Sequence, residues 1–169
     1  MDSDELKTTQ APLKAKYRAD PHAALITLKA EGDLGDGVTC SVATGKALVE
    51  AGLHPATGGD GFHACSGDML LQALVACAGV TLNAVATALG IPLEGAKVRA
   101  EGDLDFRGTL GVDREAQVGF QAIRLHFDLT GQISEEQRAS LLKLTERYCV
   151  VYQTLRAGPP IAVEMITAN

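Results

Sequence analysis

Four cysteines, Cys40, Cys65, Cys77 and Cys149, hold most of the chemistry this chain has to offer. None stands in the short C-x₂-C spacing typical of zinc sites. Cys77 sits in LVACAG, inside the most apolar stretch of the chain, where packing is the ordinary role of a cysteine. A chemical role needs the thiolate, and apolar burial raises a thiol above its usual ~8.5. A position in the middle of a helix also lacks the terminal dipole that activates many cysteines. A cation or hydrogen-bond donor from another segment must therefore supply the activation, and Arg18, His54, His63, Arg107 and Arg147 are the candidates. Cys149, in TERYCVVYQTL, stands at a helix end, with packing and chemistry evenly balanced. A helix centre and a distant helix terminus can meet in a compact domain, and two thiols with Cα atoms within about 7 Å can form a reversible disulfide. Spacing alone leaves that meeting open. Cys65 follows His63 as H-x-C, which invites a metal reading with His54 or Cys77, but the missing paired spacing argues against it, so no metal site is expected. Cys40 falls in an expected strand as a buried residue, and His22 and His126 read as surface histidines. Asp103, Asp105 and Arg107 alternate along one strand face, as a local ion pair or a substrate contact.

The elements that would position these residues can be read from periodicity. Residues 4–20 are polar and Lys-rich, with Pro12 interrupting, and predict a short helix or arm over 1–23 ahead of a single domain over 24–169. ALITLK and VTCSV, separated by EGDLGDG, predict a hairpin. GLHPATGGDGFHACSG is an irregular, glycine-rich connection of the kind that often carries function. Ser66 to Leu89 has no period-two alternation and predicts a helix apolar on most faces, capped by Ser66 or Asp68 and stopped by Gly90 and Pro92. Such a helix requires a sheet on one side and further helices or a second subunit on the other, which implies a homodimer. KVRAEGDLDF and VGFQAIRLHFDL predict two strands, the second with Ile123, Leu125, Phe127 and Leu129 inward and Arg124, His126 and Asp128 outward. Ser134 and Gln137 make a capping box opening a helix to about Tyr148, and PIAVEMI predicts a closing strand. The order is α+β.

Composition bounds the function. The 169 residues suit one domain, 46% of them are hydrophobic, and the net charge is −6. An acidic chain with 4% aromatics and no Trp is poorly suited to phosphate backbones or base stacking, so no nucleic-acid partner is expected. The charged start MDSDELKTTQAPLKAKYRADP shows no secretion signal, predicting a cytoplasmic address, where thiols stay reduced. The run Ala73 to Leu82, the longest without charged or strongly polar side chains, falls short of the ~18 apolar residues of a membrane span, so no membrane partner is expected. No G-x-G-x-x-G after a strand and no Walker A sequence occurs, and no organic cofactor is implied.

LLQALVACAGVTLNAVATALGI, EGDLDF, GF..IRLHFDL and LTERYCVVYQTL together resemble the OsmC/Ohr family, over roughly residues 24–166. The resemblance implies an intertwined homodimer with a long buried central helix on a curved, mainly antiparallel sheet. It implies a thiol peroxidase acting on small organic hydroperoxides, recharged by an external dithiol reductant. Cys77 matches the family's peroxidatic cysteine and Cys149 its resolving cysteine. Asp68 is the position nearest the family's acidic residue ahead of the central helix; within a continuous helix, nine residues would set it about 13 Å along from Cys77 and on the opposite side. The chain departs from the family in having Val150 where proline usually follows the second cysteine, and no arginine in the EGDLGDG hairpin. Aliphatic residues around Cys77, with Met69 and Leu70, would form an apolar pocket suited to alkyl peroxides. The residues leave open a second reading, a non-catalytic protein of this fold binding an apolar small molecule in the dimer cleft. A basic group at Cys77 with Cys149 nearby favours the enzyme; a Cys77 enclosed by aliphatic groups alone favours the binder.

Overall fold

Strands of alternating polarity build an antiparallel sheet, and the most apolar stretch of the chain crosses it as a helix. In the computed structural model, which describes residues 3–34, 40–42 and 51–165, the elements run α1 (Ser3–Ala19), β1 (Leu25–Leu34), β2 (Cys40–Val42), α2 (Ser66–Leu89), β3 (Gly95–Asp105), the single turn α3 (Phe106–Thr109), β4 (Phe120–Thr130), α4 (Glu135–Tyr148) and α5 (Val150–Ala157). The sheet order is β2-β1-β3-β4, with each neighbouring pair antiparallel. This is the expected α+β class.

The inner face of the sheet carries Val98 and Ala100 from β3, with Ile123, Leu125 and Phe127 from β4 against them. Leu71, Leu74, Val75 and Ala78 of α2 complete that core, and Leu82, Val85 and Leu141 extend it towards α4. Gly102 is needed in β3 because a Cβ there would lie 2.4 Å from the Phe120 ring across the ladder. The outer face is wet and ion-paired as β4's alternation predicts: Arg99 reaches Asp128 at 2.6 Å, and Arg124 reaches Asp103 at 2.9 Å. The Arg124 and Thr27 hydrogen bonds hold the Asp103 carboxyl down at about 2.

β3 ends at Asp105 and Arg107 lies in α3, so the expected alternation of Asp103, Asp105 and Arg107 along one strand face does not reach Arg107. Asp105 caps α3 by accepting the Arg107 N–H, only 2% of its surface remains exposed, and the Arg107 side chain donates to it at 3.0 Å and to Asp113 at 3.3 Å. Arg107's hydrogen bonds lower the Asp105 pKa against the opposing effect of burial. A carboxyl with a lowered folded pKa stabilises the fold above its unfolded value of about 3.9, and that stability fades as pH falls through the folded value. Asp105→Ala, which removes the nearer of Arg107's two carboxylate partners, is expected to lower stability in urea unfolding at pH 7, with the difference from wild type shrinking below about pH 4. A gap that stays constant from pH 7 to pH 2 would show that the pair adds no pH-dependent stability.

Several expectations are corrected. Pro12 does not interrupt α1, which runs through it and docks on the domain by Tyr17, whose hydroxyl donates to Ala56 O at 2.7 Å. The residue that caps α2 is Cys65, without a side-chain hydrogen bond, rather than Ser66 or Asp68; Gly90 stops the helix at φ +63, as predicted. α2 is long and apolar enough to cross a membrane, contrary to the estimate from the run Ala73 to Leu82, yet it packs on the sheet as a core helix. Its burial is incomplete, since Met69, Leu70, Val80 and Leu89 stay exposed on the single chain. The capping box at Ser134 and Gln137 is formed in both directions. α5 follows unpredicted, and residues 160–165 of the expected closing strand have no ladder partner among the described residues. Ile166, residues 35–39 of the hairpin turn, and the side chains of β2, with the expected burial of Cys40, lie outside the described residues.

Candidate functional site

Cys77 stands halfway along α2, and the chain brings Cys149 to it by breaking one helix into two. At Cys149 the backbone turns extended, with φ −71 and ψ 108. Its N–H closes α4 on Thr145 O at 2.9 Å, while its sulfur opens α5 by accepting the Tyr152 N–H at 3.5 Å. The break leaves Cys149 1% exposed and packed with Leu74, Val75 and Ala78. Cys77 is half-buried against the same cluster, and both thiols are free.

The sulfurs are inequivalent. Burial opposes ionisation of Cys77, but hydrogen bonds from the Val151 N–H, the Cys149 thiol, the Val150 N–H and the Thr81 hydroxyl outweigh it, and the Cys77 pKa is lowered. Burial pushes Cys149 up to about 11, and the neighbouring Cys77 sulfur adds to that rise. One thiol is thus prepared to be an anion while its neighbour stays S–H and hydrogen-bonds to it. Thr81 Oγ also lies 2.7 Å from the Cys77 carbonyl, within one turn of α2.

No cation is among the strongest influences on Cys77, and the five candidates are occupied or placed elsewhere. Arg107 belongs to Asp105 and Asp113. His54 accepts the Ala56 N–H at 3.0 Å and stacks on Phe106 at 5.1 Å between centroids. His63 lies 3.4 Å from Asp60, Arg147 lies over the Tyr148 ring at 5.5 Å, and Arg18 is exposed at the end of α1. Asp68 lies in the first turn of the continuous helix α2, so the structure does not bring it to the thiols. Its carboxyl pKa is raised by burial, with His54 counteracting. Among the described residues no cluster of three His, Cys, Asp or Glu is placed to hold a metal.

An apolar hollow of about 400 Å³ adjoins Thr81, lined also by Val80, Ala84, Leu144 and Tyr148. Met69 and Leu70, expected at such a pocket, sit two turns back along α2, about 11 Å from Cys77 along the axis. Periodicity missed the Val150 and Val151 amides and Thr81. The available signal was VVYQTLRA followed by Gly158, a short helix with its own N-terminus directly after Cys149.

The profile of a family described as OsmC-like protein matches residues 58–164. The fold is similar to that of an OsmC-like hydroperoxide resistance protein from Jannaschia sp. CCS1, with 13% identity, 86% of this chain and 96% of that chain covered, and a TM-score of 0.60. It is also similar to an organic hydroperoxide resistance protein OsmC from Legionella pneumophila, described as a predicted redox protein and regulator of sulfide bond formation, with 18% identity, 76% and 89% coverage and a TM-score of 0.54. No curated protein matches the sequence.

Proposed function

Because the chain belongs to the OsmC-like family, we propose that it is a cytoplasmic thiol peroxidase that reduces small organic hydroperoxides through Cys77 and Cys149. The observation that carries this reading is the inequivalent pair: a thiol drawn towards its anion in contact with one held as S–H. The Cys77 thiolate attacks the outer peroxide oxygen, the S–O bond forms as the O–O bond breaks, and the alkoxide leaves and takes a proton from solvent as the alcohol. Cys149 then attacks the Cys77 sulfenic acid, its proton leaves with the hydroxyl as water, and a disulfide remains. An external dithiol returns both sulfurs to thiols. The hollow beside Thr81 suits the alkyl part of such a substrate.

The working unit in this reading is a homodimer. The apolar residues exposed on α2, and the tail in which Ile161, Val163 and Met165 are 84%, 90% and 91% exposed, are surfaces that a second copy would cover. Light scattering at micromolar concentration is expected to return twice the 17.7 kDa chain mass; a monomer would remove the dimer from the proposal and leave the thiol chemistry to be judged alone.

Titration of the reduced protein with cumene hydroperoxide tests the activity. The expected product, mapped by non-reducing peptide mass spectrometry, is a Cys77–Cys149 disulfide complete near one equivalent. Intact thiols after several minutes with excess peroxide would refute the peroxidase. They would leave the second reading, binding of an apolar molecule, which one observation favours. A cavity of about 580 Å³ between α2, β4 and α4 is lined by Leu82, Phe127, Leu141 and Thr145, and the Thr145 hydroxyl is buried without a hydrogen-bond partner.

A further inference from the structure

The inner face of the sheet is sealed on one strand and open on the next. Val98 and Ala100 of β3 are fully buried, whereas Phe127 and Leu125, directly opposite them on β4, are only partly covered. Between β4 and α4 this leaves the cavity of about 580 Å³, and a second of about 530 Å³ continues it along β4, with Leu125, Phe127 and Leu142 lining both. Thr145, on the α4 wall of the first cavity, is 1% exposed. Its hydroxyl is the one buried side-chain oxygen or nitrogen without a hydrogen bond among the described residues. We propose that this groove binds a neutral aliphatic molecule with a single acceptor oxygen, of which a medium-chain alcohol is the simplest, and that the oxygen takes the hydrogen bond of Thr145.

The chemistry of the occupant follows from the walls. Leu82, Leu125, Phe127, Leu141 and Leu142 line the first cavity, so an aliphatic body gains the transfer energy of the apolar area it covers. Each cavity carries one carboxylate and one guanidinium, Glu135 with Arg138 in the first and Glu146 with Arg156 in the second, so neither draws a net charge. Glu135 and Arg138 lie 3.7 Å apart on the first turn of α4, and Arg138 stands about 10 Å along the axis from Thr145. An ionised head at Thr145 would therefore be buried among leucines without a counter-ion, which is costly. A hydroxyl left unpaired in such a place is costly too, and a trapped water is a poor remedy, because it needs several polar partners. An oxygen carried in on an aliphatic chain supplies the missing acceptor and covers the apolar walls at once.

Displacement of a fluorescent naphthylamine dye from the full chain by octanol reads the site, with octane as the occupant that covers the walls but accepts no hydrogen bond. Thr145→Val keeps the shape of the side chain and removes the oxygen. Wild type is expected to bind octanol about fivefold more tightly than Thr145→Val does, the effect of one buried hydrogen bond, while octane affinity stays within about twofold. The variant is also expected to be at least as stable as wild type in urea, because it loses a hydroxyl that had no partner. Equal octanol affinity in the two folded proteins would overturn the proposal. So would the absence of octanol binding in wild type, the result expected if the exposed tail of a second copy fills the groove.

If Thr145→Val fails to fold, nuclear Overhauser contacts in the wild-type protein decide. Those from octanol methylenes to the Leu125 and Leu142 methyls are expected, and their absence overturns the proposal. Neither Cys77 nor Cys149 lines either cavity, so the site stands apart from the thiols and does not require them to be inactive. Octanol binding without peroxide turnover would retire the peroxidase and keep the groove, while turnover without octanol binding would do the reverse.

Discussion

Cys77→Ser is expected to lower cumene hydroperoxide consumption by on the order of 10³-fold or more, because the reading assigns the attack on the peroxide to this sulfur. Cys65 remains as a free thiol, but it lies at the N-terminus of α2, twelve residues from Cys77 in sequence. Cys149→Ser separates the two steps. The first equivalent of peroxide should still be consumed, with sulfenic acid persisting on Cys77 and trapped by a dimedone reagent. A Cys77→Ser protein that keeps more than a tenth of the wild-type rate would place the chemistry elsewhere. The pH profile carries the same assignment. The rate should rise with the Cys77 thiolate, with its inflection below the ordinary thiol value of about 8.5. A second inflection belongs near 11, where Cys149 itself gives up its proton. A single inflection near 8.5 or higher would mean that the hydrogen bonds at Cys77 do not favour its anion.

Leu74→Ala should be the most damaging of the simple truncations. Leu74 is 1% exposed, lies on the α2 face that meets Cys149, and packs in the cluster shared by both cysteines. Removing a buried leucine side chain costs about 2–5 kcal/mol, through lost transfer energy and the cavity left behind. For a chain of this size about 3 kcal/mol lowers Tm by roughly 6–12 °C. The loss should reach the chemistry as well, because the cavity opens beside the α4–α5 break and lets Cys149 and the first amides of α5 shift. The Cys77 midpoint is therefore expected to rise while the protein is still folded, well below its new Tm. A stability loss with an unmoved midpoint would show that the thiol geometry is held by α5 alone.

Much of the fold was legible in the sequence because local periodicity and local stop signals agree. The Ile123–Leu129 alternation, the Ser134–Gln137 capping box and Gly90 each describe interactions completed within a few residues or by one buried face. Expectations failed where a distant partner decides. Pro12 is tolerated in a helix anchored by Tyr17, and Asp105 is buried where β3 gives way to α3, held by Arg107, which also reaches Asp113. The tail over 160–165 alternates like a strand but has no ladder partner among the described residues. For the site, residue type and resemblance brought Cys77 and Cys149 forward, and the sequence by itself determined that Cys77 lies in an apolar helix and Cys149 at a helix end. It also contained the test for Asp68: within an unbroken α2, nine residues are too far. Only the tertiary structure decided that Cys77 and Cys149 pack in one cluster with Leu74, Val75 and Ala78. The meeting is set by the extended turn at Cys149 and by the packing of α5 against α2, and neither is written in composition or spacing, because each depends on segments far apart in the chain.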